Sequence, residues 1–183
     1  MNIKKSINVA LEKDEAIVQV NENDEVVGFM PRKDRRFLNK FYRVVSIWVL
    51  NSKGEVLIAQ RAVNKSNNPS KWGQSVAGVV TSDELDYEIA ASRETEEELG
   101  LKDFKLFKGP YIEVEGTHNA FIQFFYTFKD LSLTDLKLQE EEVQDAKWVT
   151  LKELKNDVEQ NPEKYVGRMK EWITYLEQRN DYL

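Results

Sequence analysis

The chain contains no cysteine among its 183 residues. Disulfides, thiolate metal centres and a cysteine nucleophile are therefore excluded. Histidine occurs once, as His118. That residue sits in a turn sequence, where solvent exposure is the commoner role. Long apolar runs are absent: the N-terminal stretch has no apolar segment of the length of a signal peptide, and no later run approaches the roughly 20 residues of a membrane span. The expectation is a soluble, cytoplasmic protein without a membrane partner. Neither internal repeats nor low-complexity segments occur. A formal charge of −6 argues against nucleic acid bound through its phosphates. It also means that a phosphorylated ligand needs a cation to offset repulsion. What is present is ample apolar material, 41% of the residues, enough for one compact unit with its own core.

The chemistry is concentrated in Gly78–Leu101, GVVTSDELDYEIAASRETEEELGL. Its second half reads as a helix stopped by Gly100. At helical spacing Glu94, Glu97 and Glu98 share one face, and Glu96 points elsewhere. Acidic side chains near a helix C-terminus oppose the macrodipole, and like charges at i,i+4 repel. A solvated acidic face is the bland reading. A hard divalent cation on carboxylate oxygens, Mg²⁺ or Mn²⁺, removes the conflict.

The segment Arg93-Glu94-Thr95-Glu96-Glu97-Glu98-Leu99-Gly100-Leu101, with Gly78 and Glu84 ahead of it, resembles the Nudix box, G-x(5)-E-x(7)-R-E-U-x-E-E-x-G-U, where U is a bulky aliphatic residue. Two departures are plain. Eight residues separate Glu84 from Arg93 where the family pattern has seven, and Thr95 stands at an aliphatic position. The resemblance covers most of residues 15–155 and implies the Nudix fold, an α/β/α sandwich around a mixed sheet. The activity it implies is hydrolysis of a phosphoanhydride in a nucleoside diphosphate linked to another moiety. Glu94, Glu97 and Glu98 would be metal ligands, with Arg93 orienting them. A further carboxylate from outside the helix is expected, and Glu142 is the candidate, although Glu140 and Glu141 would serve as well. Arg61 meets a substrate phosphate or pairs with a structural acid; Phe121 is a candidate to flank the substrate. Glu84 either pairs with Arg93 or caps the helix start through Thr81-x-x-Glu84.

Along the chain, residues 16–20 and 25–30 read as a hairpin, closed by Pro31 and followed by a basic connector, so residues 1–40 form an extension and 41–183 the main domain. Strands are expected at 41–50, 55–61, 104–107, 111–115, 120–128 and 143–149. Trp72 is a core aromatic or a stacking surface. Leu85, Ile89 and Leu99 are the expected core contacts of the box helix, and the extra residue is expected in the turn 81–86, with a regular helix from Asp86 to Leu99. Thr150 caps a helix through Val158, and Pro162 opens a last amphipathic helix. The hairpin could add to the sheet edge of a second copy, giving a homodimer.

Two other functions fit parts of this pattern. The hairpin, the connector and the Trp72 segment look like isopentenyl-diphosphate isomerase, but there is no cysteine, Tyr42-Arg43 stands where His-Arg is expected, and Gln74-Ser75 replaces the cysteine-containing segment. A domain that binds a nucleotide metabolite without turnover is the third reading.

Overall fold

A computed structural model describes residues 16–36, 40–116 and 119–181; His118 lies outside them. Among the described residues, nine strands and three α-helices make this a mixed α/β protein, the class expected. Contacts group the chain into two compact units, each assembled from separate stretches. The first comprises the chain up to Val45 with Gly78–Ala90 and Tyr111–Gln123; the second comprises Ser46–Ala77, Ala91–Pro110 and Phe124 onward.

In the first unit, β1 (Ala16–Val20) and β2 (Val26–Pro31) form the antiparallel hairpin. Its turn is shaped by Asn21, whose side-chain oxygen accepts from the backbone N–H of Asn23 and of Glu25. β1 also pairs with the start of β3 (Phe41–Leu50), Val20 opposite Phe41. Arg32–Arg36 is a single 3₁₀ stretch.

The second unit is built on β4 (Glu55–Arg61), which pairs along its length with β9 (Val143–Thr150), Glu55 opposite Thr150 and Ala59 opposite Ala146. The short β5 (Trp72–Gly73) lies on β4, and β6 (Val76–Val79) follows it in the chain. Ser75 is fully buried: its hydroxyl donates to the Leu57 carbonyl at 2.6 Å and accepts from the Val49 N–H at 2.8 Å. Thr150 caps α2 (Leu151–Gln160) in a reciprocal box with Glu153. In α3 (Met169–Glu177), Trp172 and Tyr175 pack on Phe124.

Several expectations need correction. The box helix, α1 (Tyr87–Leu99), is capped by Asp86 and not by Thr81. The Asp86 carboxylate accepts from the N–H groups of Glu88 and Ile89, and its carbonyl accepts the first helical bond from Ala90. Thr81 instead donates to the Glu84 carboxylate at 3.3 Å inside the preceding turn. Leu85 and Ile89 are exposed, because the buried side of α1 is Ala90, Ala91, Glu94, Thr95, Glu98 and Leu99. Thr95 is accommodated there by donating its hydroxyl to the Ala91 carbonyl. The helix is uninterrupted, and the turn ahead of it holds Leu85 at a φ of 53°. The segments 104–107 and 111–115 are not two strands: β7 (Phe107–Val114) is continuous and precedes β8 (Asn119–Phe128). Pro162 opens only a 3₁₀ turn, and α3 starts after Arg168, whose φ of 67° breaks the backbone path between them.

Candidate active site

Three chain segments converge at the C-terminal end of α1. Gly100, at a φ of 68°, ends the helix in the left-handed conformation. The chain at Lys137 crosses so closely that a Cβ on Gly100 would stand 2.7 Å from the Lys137 Cβ. Backbone N–H groups of Lys137 and Gln139 bond to the free carbonyls of Leu99 and Glu98, at 3.0 and 3.2 Å. That loop delivers Glu142, whose carbonyl accepts from the Ala62 N–H at 2.9 Å. The β4–β9 register, Arg61 opposite Val143, places the end of β4 alongside.

The result is a cluster of charges wholly within the second unit: Glu94, Glu97, Glu98 and Glu142 with Arg61, Lys65 and Arg93. Arg93 donates to Glu94 at 2.9 Å and to Glu97 at 2.6 Å, so it holds two of the carboxylates. Lys65 pairs with Glu142 at 2.5 Å. Arg61 donates from Nε to the Asn67 carbonyl and stabilises the negative charge of Glu98.

Glu98 is the most constrained of these groups. It is 7% exposed, and burial pushes its carboxyl well above the usual carboxylate range. The nearby negative charges of Glu94 and Glu142 push in the same direction, and Arg61 and Lys65 only partly oppose them. A buried acid among other acids, only partly offset by cations, is a common arrangement of functional sites and a costly one for structure alone.

Among the described residues, no three acidic or histidine side chains converge closely enough to hold an ion as they stand. The ion pairs explain this, since Arg93 draws Glu94 and Glu97 onto itself and Lys65 draws Glu142. The donor set is nevertheless all carboxylate oxygen, and Glu98, buried together with Glu94, is only partly compensated by positive charge. Both properties fit a hard divalent cation.

Three further sequence candidates, Gly78, Glu84 and Phe121, lie in the first unit. Gly78 is buried in β6, and Glu84 is in the turn before α1. Phe121 is 4% exposed, its ring stacked between Phe41 at 5.2 Å and Tyr111 at 5.7 Å, so both ring faces are covered. In the second unit, Trp72 is half-buried under Lys147, whose ammonium lies 4.4 Å from the ring centre. Lys65 was not foreseen. It stands in a polar loop with no motif of its own, and only its position four residues after Arg61, next to a strand end, could have signalled it.

The pattern of the NUDIX domain matches residues 40–175. An uncharacterized Nudix hydrolase of Listeria monocytogenes is 33% identical over 144 residues, covering 74% of this chain and 79% of that protein. An isopentenyl-diphosphate Delta-isomerase of Photorhabdus laumondii is 30% identical over 178 residues, 92% of this chain and 99% of that one. In structure, a Deinococcus radiodurans protein superposes with a TM-score of 0.77 at 27% identity, over 87% of this chain and 98% of its own. The domain pattern, the fold and the hydrolase relative agree: the chain belongs to the Nudix family and is one of its hydrolases.

Proposed function

We propose that the protein is a divalent-metal-dependent pyrophosphohydrolase acting on a nucleoside diphosphate linked to another moiety, with Glu94, Glu97 and Glu98 as the ligands of Mg²⁺ or Mn²⁺. The observation that carries this reading is the buried, charge-crowded Glu98 carboxyl between Glu94 and Glu142. A bound cation would neutralise phosphate oxygens and lower the pKa of a water. The protein supplies the rest. Arg61 and Lys65 offer positive charge to the phosphates, compensating a substrate that this acidic chain would otherwise repel. Arg93 sets the orientation of Glu94 and Glu97. Glu142, whose carboxylate is paired with Lys65, is the residue we assign to accept a proton from the attacking water. A solved Nudix domain of Shewanella oneidensis carries ADP-ribose, which supports a nucleotide derivative as the substrate class.

The isomerase relatives raise a second reading, with an isoprenoid diphosphate as substrate. Ser75 weighs against it. In the segment where the isomerase resemblance calls for a cysteine, this chain has a buried hydroxyl fully engaged by two backbone groups.

The test is a screen of the purified protein with Mg²⁺ against nucleoside triphosphates, dinucleoside polyphosphates, ADP-ribose and isopentenyl diphosphate, with products resolved by ion exchange. Cleavage of a nucleotide anhydride that is lost in Glu97→Gln, with unchanged circular dichroism, is the expected result. Isomerisation of isopentenyl diphosphate, or saturable ADP-ribose binding with no turnover of any compound, would overturn it.

A further inference from the structure

We infer that Lys65 is a positioning residue for Glu142, holding one oxygen of its carboxylate so that the other, Oε1, takes the proton of the attacking water. This role rests on Glu142 being the proton acceptor, and it adds to the positive charge that Lys65 offers to phosphates. A continuous run of hydrogen bonds fixes both partners against the end of α1. The Gln139 N–H donates to the Glu98 carbonyl at 3.2 Å, and the Gln139 carbonyl accepts from the N–H groups of Glu142 and Val143, each at 2.8 Å. The Glu142 carbonyl accepts from the Ala62 N–H at 2.9 Å, and the Ala62 carbonyl accepts from the Lys65 N–H at 3.2 Å. The Lys65 ammonium closes the run on Oε2 of Glu142 at 2.5 Å.

Glu142 is thus held at its N–H, its carbonyl and one carboxylate oxygen. Among the described residues Oε1 has no hydrogen-bond partner. One oxygen engaged and one open gives a general base a fixed direction and a free acceptor. Glu140 and Glu141 are exposed in the same turn, and no bond among the described residues fixes either carboxylate. The fold therefore singles out the third glutamate of the run. The pair also stands beside Glu98, since both members act on that carboxyl, Glu142 raising its pKa and Lys65 lowering it.

Lysine suits this place better than arginine. An ammonium is a point donor, whereas a guanidinium fork matches both oxygens of a carboxylate. Arginine would keep the charge and the pair but cover Oε1. The step served is removal of one proton: it passes from water to Oε1 as the water oxygen attacks phosphorus. The anhydride P–O bond breaks, and its electron pair leaves on the departing phosphate.

Steady-state kinetics with Mg²⁺ and the nucleotide cleaved fastest in the screen above test this. Lys65→Met should lower kcat about 10-fold or more. Its melting curve should stay close to that of wild type, because a partly exposed ion pair adds little stability. Glu142→Gln should lower kcat about 10²-fold. In the double variant kcat should equal that of Glu142→Gln alone, since no carboxylate remains to be held. A rise in KM from the lost positive charge should persist there. Lys65→Arg should keep KM and the melting curve but lose kcat. A Lys65→Met effect on kcat undiminished in the Glu142→Gln background would overturn the inference and leave Lys65 as a phosphate contact only. So would full kcat in Lys65→Arg or in Lys65→Met. Full kcat in Glu142→Gln, or no turnover of any nucleotide by the wild type, would instead remove the reading of Glu142 and this role with it.

Discussion

The molecule holds two clusters of charged groups, one in each unit, and they are built on opposite plans. In the first unit, Asp24 receives Arg43 Nε at 2.7 Å and the Tyr87 hydroxyl at 3.0 Å, and a second Arg43 nitrogen reaches the Asp24 carbonyl at 2.6 Å. Arg43 donates its remaining amino group to the Leu85 carbonyl and lies 5.1 Å from the centre of the Tyr87 ring. One acid faces one guanidinium, and every strong donor has an acceptor. Burial and the Asp24 charge hold the Tyr87 hydroxyl well above the ordinary tyrosine range, which keeps it a donor. In the second unit, Glu98 is buried among acids, and of the two cations that oppose them, Arg61 at the end of β4 also serves the Asn67 carbonyl and Lys65 is paired with Glu142. A closed network fixes structure, here the hairpin turn against the turn before α1. An open one leaves an unmet demand for positive charge, which a ligand can meet.

The largest expected effect is on the closed centre. Arg43→Ala leaves Asp24 without its charge partner and Leu85 without a donor, and it should cost about 3 kcal/mol. A urea midpoint lowered with an unchanged slope would show it. A loss smaller than that of an ordinary surface substitution would mean that the Asp24 network is not structural, and the comparison would fail.

At the open centre, Glu98→Gln should separate function from stability. Turnover with Mg²⁺ should fall by about 10²-fold or more, as for removal of a charged group aimed at the reacting centre. Stability without metal should rise at neutral pH. Below the unfolded-state pKa of about 4.3, both states hold the Glu98 proton and the residue carries no penalty. As pH rises, the unfolded chain ionises first because burial raises the folded value. Wild-type stability therefore declines upward from pH 4 until the folded pKa is passed. The Gln variant escapes that decline, so its advantage in EDTA should vanish toward pH 4. Added Mg²⁺ should reverse the order of the two proteins, because only the wild type gains from binding. An advantage independent of pH would remove Glu98 from the open centre.

The acidic face of α1 was legible in the sequence because helical spacing alone puts Glu94, Glu97 and Glu98 together. The burial of Glu94 and Glu98 was not, since the polar run Ser92–Glu98 reads as solvent-facing and only the packed segments beside α1 decide otherwise. Leu85 and Ile89 misled for the mirrored reason: they are apolar, but Ala90 and Ala91 take the close-packed side. Lys65 could not be read, as its partner Glu142 lies 77 residues away and is brought to it by the β4–β9 register. The long strands were clear from their apolar runs. The join between 104–107 and 111–115 was hidden by Gly109 and Pro110, which punctuate a sequence without breaking β7.

The smallest expected effect separates the two ends of α1, whose first residues belong to one unit and whose carboxylates belong to the other. Asp86 satisfies two backbone donors of the first turn and its charge favours that end of the helix. Asp86→Ala should cost about 1 kcal/mol, and Asp86→Asn should recover most of it by accepting the same N–H groups. The carboxylate end is held separately, by Gly100 and by the bonds from Lys137 and Gln139. Metal-dependent kcat should therefore be unchanged in both variants at temperatures where they remain folded. Thr81→Val should likewise spare the helix, because Thr81 hydrogen-bonds within the turn and does not cap α1. A Thr81→Val penalty equal to that of Asp86→Ala would restore the capping role to Thr81-x-x-Glu84. A fall in kcat in Asp86→Ala would show that fraying at one end of α1 reaches Glu94, Glu97 and Glu98 at the other.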